Sequence, residues 1–167
     1  GRKVPCIAAP PHLVKKGRNA LTPATSGAHK GEQRRLYLTI EGRGTYVVRS
    51  HIERLLKEDV GRFPRQLPKL TREVVYPGAW EKMRVGLAAR LLSNSVADAL
   101  DKAADAESIL IEQDSIRATA LYCRQWNRLY DLLTRRQPVD SAAARLFCAE
   151  LRSAAKWFDA AAAAAAS

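Results

Sequence analysis

The chain has 167 residues, 47% apolar and 27% charged, enough for one domain with its own core and too apolar for a disordered or collagen-like polymer. It carries 28 Lys and Arg against 17 Asp and Glu, and the excess is lopsided: residues 1–75 hold 16 basic and 6 acidic side chains, residues 76–167 hold 12 and 11. A basic first half beside a near-neutral second half points to a polyanionic partner for the first, and no apolar run reaches the roughly 18 residues of a membrane span.

The opening Gly1-Arg2-Lys3-Val4-Pro5 lacks the apolar centre and cleavage site of a secretory signal, and no Met starts the chain, so it reads as a fragment or a processed chain. Cys6, Cys123 and Cys148 are too few and too widely spaced for a disulfide framework. An odd count fits reduced thiols in a cytosolic or nuclear setting.

Residues 3–9 form a short apolar run that reads as a buried strand, ended by Pro10-Pro11. Pro11 suits the first turn of a helix, which His12 to Asn19 would continue, weakened at Gly17. Residues 22–33 are rich in helix breakers and predict a loop. Leu36 to Ile40 predicts a short strand. Over residues 46–58, Val47, Val48, Ile52, Leu55 and Leu56 predict an amphipathic helix starting near Thr45 or Ser50. Residues 61–78, with three prolines and two glycines, predict an extended connector.

The second half reads as helical. Trp80, Met83, Leu87, Ala88, Leu91, Leu92, Ser95, Val96, Ala99 and Leu100 predict one long helix over residues 80–100, with Ser95 on its inward stripe. Residues 105–114 are acidic and predict a loop or a helix cap. Ile116, Thr119, Tyr122, Cys123, Trp126, Leu129, Tyr130 and Leu133 trace a second helix, broken at residues 137–141. Asp140 or Ser141 can cap a third, with Leu146, Phe147, Leu151, Ala154 and Phe158 on its apolar face. The terminal alanines either extend that helix or stand in for other side chains.

There is no P-loop, no Gly-x-Gly-x-x-Gly turn, no Gly-x-Ser-x-Gly elbow, and no His or Cys pair at zinc spacing. Three local constellations remain. In the first, a strand end leads into Pro11-His12-Leu13-Val14-Lys15, where a helix N-terminus favours anions, with Lys15 and Arg18 on one face. In the second, Ser93-Asn94-Ser95 interrupts an apolar helix. A buried Ser95 would bond back to its own helix or meet a ligand. In the third, Asn127 and Asp131 are four apart and project from one face, beside Trp126 and Tyr130. A ring can stack on a purine, and a carboxylate can accept from the N1–H and exocyclic amine of guanine. The alternative at that point is two core aromatics and a surface pair.

In order along residues 4–136, these stretches resemble the transposases of the P-element class, including the THAP-domain transposases of animals. The matching segments are Pro11-His12-Leu13-Val14-Lys15 with Arg18-Asn19, then Lys82-Met83-Arg84-Val85 with Leu92-Ser93-Asn94-Ser95-Val96-Ala97, then Trp126-Asn127-Arg128-Leu129-Tyr130-Asp131. The resemblance implies an RNase-H-like catalytic core interrupted by a mostly helical insertion domain that binds GTP, in an enzyme that cuts and joins DNA ends through carboxylates holding divalent metal such as Mg²⁺. GTP there organises the transposase with its DNA ends and is not a hydrolysed fuel.

The expected fold is therefore mainly α: residues 1–21 as a strand-helix piece of the RNase-H-like core, 22–159 as the GTP-binding insertion domain, and 160–167 as an Ala-rich tail. Lys15, Arg18 and Lys82 become the expected phosphate or DNA-backbone contacts, and Asn94, Ser95, Asn127 and Asp131 the polar contacts to the nucleotide. The resemblance also implies a nuclear protein with transposon-end DNA as partner, self-association, and no membrane. One departure stands out: the family pattern has an Asp at position 9, where this chain has Ala9. Alanine offers no oxygen to Mg²⁺, so the fragment alone is expected to be inactive. The alternative is a non-enzymatic basic helical domain, binding DNA or a protein, of a decayed or domesticated transposon.

Overall fold

The structure, a computed structural model, describes residues 9–22, 36–40, 43–135 and 141–166. The strand expected at residues 3–9 lies, but for Ala9, outside them, as do residues 23–33 of the expected loop and residues 137–140 of the expected break. Helix α1 (Pro10–Ala20) starts where expected, with prolines at its first two positions, where a missing N–H costs nothing. Ala9 is its N-cap and has no side chain to offer, so its carbonyl alone accepts from His12 (2.8 Å) and Leu13 (3.3 Å).

Gly17 owes its place to packing. A Cβ there would meet the Trp126 ring at 2.6 Å, and the Tyr122 hydroxyl donates to its carbonyl at 2.9 Å. Glycine thus lets two helices approach at a cost in helix propensity.

Strands β1 (Leu36–Ile40) and β2 (Arg43–Val47) form an antiparallel hairpin with Tyr37 opposite Tyr46, their rings edge to face at 5.4 Å. Val47 and Thr45 face inward while Tyr46 faces out. The expected helix over 46–58 is corrected in part: Thr45 and Val47 belong to β2, and helix α2 (Ser50–Val60) begins at Ser50, one of the two expected starts. Val47 and Val48 are β-branched and pack well on a pleated surface, and the apolar pattern read across the turn between strand and helix.

The expected extended connector is also corrected. Beyond α2 the chain folds back over the buried Asp59. This carboxylate accepts from Gln66 N–H (2.7 Å), Leu67 N–H (3.0 Å) and Arg65 Nε (2.9 Å). That clamp lets Leu67 and Leu70 enter the core ahead of a short helix α3 (Arg72–Val75), whose Val74 and Val75 are buried.

The single helix expected over 80–100 is three pieces: a 3₁₀ turn (Glu81–Met83), α4 (Val85–Leu91) and α5 (Asn94–Asp105). Ser93 is extended (φ −86°, ψ 157°) and caps α5 through its carbonyl, which accepts from Val96 and Ala97 at 3.1 Å. Serine competes poorly for a helix interior and well for a helix start. The break shifts the helical phase, so Val96, Ala97, Leu100 and Ala104 turn inward and Ser95 stays exposed. The expectation that Ser95 faces the core is thereby corrected.

Helices α5 and α6 (Leu110–Leu133), joined by residues 106–109, pack together and form the centre of the molecule. One side of α6 receives β2 and α1, and α7 (Ser141–Ala166) lies on α6 and β1. The alanine run does continue α7 as helix. Its inner face carries Ala154, Trp157 and Ala161, whereas Leu146, expected there, is 67% exposed. The described residues are mainly helical, as expected, with one small hairpin whose second strand was not expected, and no helix among them is long and apolar enough to cross a membrane.

Candidate functional site

The last three turns of α6 present Arg124, Asn127, Arg128 and Asp131 along one face, because positions three and four apart stack on a helix, and Arg135 follows just past the helix end. With Asn94 from the start of α5 and Glu150 from α7 they line an open cleft of about 400 Å³. Asn127 Nδ2 donates to Asp131 Oδ2 at 2.6 Å, which fixes the carboxylate and leaves its other oxygen to accept. Arg124 spans the helices, donating to Asp98 (2.7 Å) and Asp101 (2.8 Å) on α5. Arg128 and Arg135 are exposed and pair with no other described residue. The cleft therefore offers one oriented carboxylate, two amides and two cations unneutralised by neighbours, a set suited to a polar ring edge with an anionic tail.

Of the residues singled out from sequence, Asn94, Asn127 and Asp131 share this cleft. Ser95 does not. It lines a second cavity, of about 390 Å³, with Lys69, Arg90 and Ser93 around a floor of Leu67, Leu70 and Val96. Asn94 and Ser95 thus open to opposite sides of the α5 N-terminus. Arg18 and Lys82 meet elsewhere: the Arg18 guanidinium, 1% exposed, donates to the Lys82 carbonyl at 2.8 Å and to Asn19 Oδ1 at 2.9 and 3.1 Å. Burial pulls its pKa below the usual arginine value, and its Nη1 has no acceptor among the described residues. Lys15 and the Lys82 side chain are half-buried and line neither cavity.

The aromatic platform expected beside Asn127 is corrected. The Trp126 ring rests on Gly17 and stands edge to face with Phe158 at 4.7 Å, and Tyr130 packs against the core. Trp126 is spent on holding α6 to α1 and α7 and Tyr130 on the core, the alternative reading of that stretch. Sequence reasoning passed over Arg124, Arg128, Arg135 and Glu150. The arginines repeat at helical spacing with Asp131 and could have been found on that ground, whereas Glu150 comes from another helix and gave no signal.

A buried Ser–His–Glu arrangement lies away from the cleft. His51 Nε2 is 2.9 Å from Ser115 Oγ, and His51 Nδ1 is 3.4 Å from Glu112. The Ser115 hydroxyl donates to the Tyr46 carbonyl at 2.7 Å, so its proton is committed and the group ties α2, β2 and α6 together. Cys123 is no nucleophile either, since burial pushes its thiol up to about 12. Among the described residues no three His, Cys, Asp or Glu side chains come close enough to hold a metal ion. Ala9 supplies no ligand, so no step is routed through Mg²⁺ here.

A family described as "TNP-like, GTP-binding insertion domain" matches residues 36–145. Among solved structures, one chain of the "Drosophila P element transposase strand transfer complex" aligns with a TM-score of 0.60 at 20% identity, covering 88% of this chain and 31% of its own length. At that identity the likeness is one of fold, and the present chain spans about a third of that relative. No curated protein matches.

Proposed function

The chain belongs to the TNP-like GTP-binding insertion domain family, and from that membership we propose that it is the nucleotide-binding part of a P-element-type DNA transposase, holding GTP in the cleft between the start of α5 and the outer face of α6. The observation that carries this reading is the Asn127–Asp131 pair, bonded at 2.6 Å and facing the same cleft as Asn94. Asp131 accepts from the guanine N1–H and exocyclic amine. Asn127 holds it in place, Asn94 reaches the base or ribose, and Arg128 and Arg135 meet the phosphates. In this reading GTP acts as a bound organiser. In this reading the cutting and joining of DNA belongs to carboxylates that other parts of a parent transposase would supply. The same reading gives the basic residues 1–75 a DNA partner and puts the protein in the nucleus.

The neighbouring cavity is the second position for the nucleotide, favoured by Ser95, Lys69 and Arg90 on its walls. Thermal unfolding with GTP and ATP separates the two. A ligand bound only by the native state raises the unfolding temperature. GTP should do so more than ATP, and Asp131→Asn should erase the difference, because the amide presents a donor where guanine also donates. Loss of the GTP shift in Arg90→Ala, with Asp131→Asn unaffected, would move the nucleotide to the other cavity. Flat curves with both nucleotides at millimolar concentration would reject both positions.

A further inference from the structure

We propose that the turn of residues 76–84 is a base-stacking contact for single-stranded DNA, with Trp80 as the stacking ring and Arg72, Lys82 and Arg84 meeting the phosphates. The inference deepens the DNA-handling reading by naming a strand and a contact. It rests on that reading for the choice of polyanion and does not involve the nucleotide cleft.

Trp80 is 88% exposed, Met83 68% and Tyr76 44%. The chain has three tryptophans, and the other two, Trp126 and Trp157, are packed against the core. Trp80 alone forgoes the large apolar burial that an indole normally makes. The backbone that carries it is nevertheless held in place. Gly78 N–H donates to Glu81 Oε2 at 2.5 Å, and Lys82 N–H to the Gly78 carbonyl, Met83 N–H to the Trp80 carbonyl and Arg84 N–H to the Glu81 carbonyl, each at 3.0 Å. From beneath, buried Arg18 donates to the Lys82 carbonyl at 2.8 Å. A ring carried on such a base needs no further ordering of the backbone when it binds.

The surroundings select the partner. Arg72 and Arg84 are exposed and Lys82 half-exposed, and none of the three pairs with another described residue. Tyr76 follows Arg72 by one helical turn, its N–H donating to the Arg72 carbonyl at 2.7 Å, and Arg49 lies 5.0 Å over one face of its ring. Of the two acids in the segment, Glu81 is engaged with Gly78 and Glu73 remains. Rings interleaved with cations match a strand that alternates bases and phosphates, and the face of a base is open to stacking where it has no duplex neighbours. A duplex would use the cations and leave the ring idle. A protein partner would want a broader apolar surround than Met83 and Tyr76 give here among the described residues.

The test is a titration of the whole chain with oligothymidine, followed by tryptophan emission. Binding should quench the emission. Trp80→Ala should remove most of the quench and weaken binding about tenfold or more, while Trp80→Phe keeps most of the affinity. The salt dependence should be unchanged in Trp80→Ala, whereas Arg84→Gln lowers its slope by about 0.7. Thermal unfolding and any GTP shift should be the same in Trp80→Ala as in the parent, since the ring supports neither the core nor the cleft. Oligothymidine binding through Trp80 without a GTP shift would support this contact and sink the nucleotide reading. Undiminished binding by Trp80→Ala, equal quenching by a duplex of the same sequence, or equal quenching by polyglutamate would each overturn it.

Discussion

Gly17→Ala sets helix propensity directly against packing. In an open helix interior the change stabilises by about 1 kcal/mol. At this position the new Cβ would stand 2.6 Å from Cδ2 and Cε2 of Trp126 and 3.0 Å from Cε3, against about 3.5–4.0 Å for an unstrained carbon contact. The indole would have to withdraw by about 1 Å. Phe158 stands against it at 4.7 Å and Tyr122 at 6.1 Å, and the Tyr122 hydroxyl is bonded to the Gly17 carbonyl. Overpacking of this kind costs about 1–3 kcal/mol. After the propensity gain, a net loss of up to about 2 kcal/mol remains, which lowers the midpoint of a chain this size by up to about 8 °C. Thermal unfolding followed by near-ultraviolet circular dichroism reads both the midpoint and the indole environment. Trp126→Leu, destabilising alone, should convert Gly17→Ala from harmful to neutral or helpful. A midpoint that rises in the single variant by the full propensity gain would show that the ring yields at no cost, and the account of why glycine sits there would fall.

Asp59→Ala should cost about 2–4 kcal/mol in chemical unfolding, because two backbone N–H groups and a guanidinium lose their acceptor. Burial pushes the Asp59 carboxyl up, but hydrogen bonds from Leu67, Arg65 and Gln66 outweigh it and hold the pKa below the usual 3.8. Its contribution is therefore full above that value and lost as pH falls through the folded-state value, a loss absent from Asp59→Asn. His51 is held below its ordinary 6.5 by burial, against the pull of Glu112 and with the push of Arg54. The unfolded chain takes the proton first, so stability should fall as pH drops from 6.5 toward the folded value, and pH-dependent unfolding of His51→Gln should be flat there. Ala9→Asp adds a side-chain acceptor at the α1 N-cap and should raise stability by about 0.5–1 kcal/mol by thermal unfolding. Arg128→Ala with Arg135→Ala should weaken GTP in calorimetry about tenfold or more while barely touching guanosine, since charge-assisted bonds to phosphate are lost and base contacts are kept.

Where residues legible in the sequence ended up was decided by local breaks that periodicity cannot see. The apolar spacing of α6 and the proline start of α1 follow from rules that act within one element, and both were readable. The hairpin–helix junction and the Asp59 clamp were not, because a strand-compatible pair such as Val47-Val48 also fits a helix face, and a carboxylate that gathers a loop seven residues on leaves no periodic trace. Ser93 shows how a small misreading propagates to the site. Counting through it as helix keeps Ser95 on the inward stripe beside Leu91 and Leu92. Stopping at it, as the extended backbone does, rotates α5 so that Val96 and Leu100 take the core and Asn94 and Ser95 are left to the outside.

That rotation also builds the cleft. With Val96, Leu100 and Ala104 pressed inward on α5, Asn94 is carried to the edge where α6 presents Asn127 and Asp131. The aromatic residues read as a base platform hold α6 in that position from the other side, Trp126 against Gly17 and Phe158. The rings thus set the geometry of the polar residues and are not free to touch a base themselves. On the proposed reading, guanine recognition in this cleft rests on hydrogen bonds to Asp131, with no aromatic stacking partner from α6. Such a site should lose most of its preference for GTP on a single amide substitution, and a site built on stacking would not.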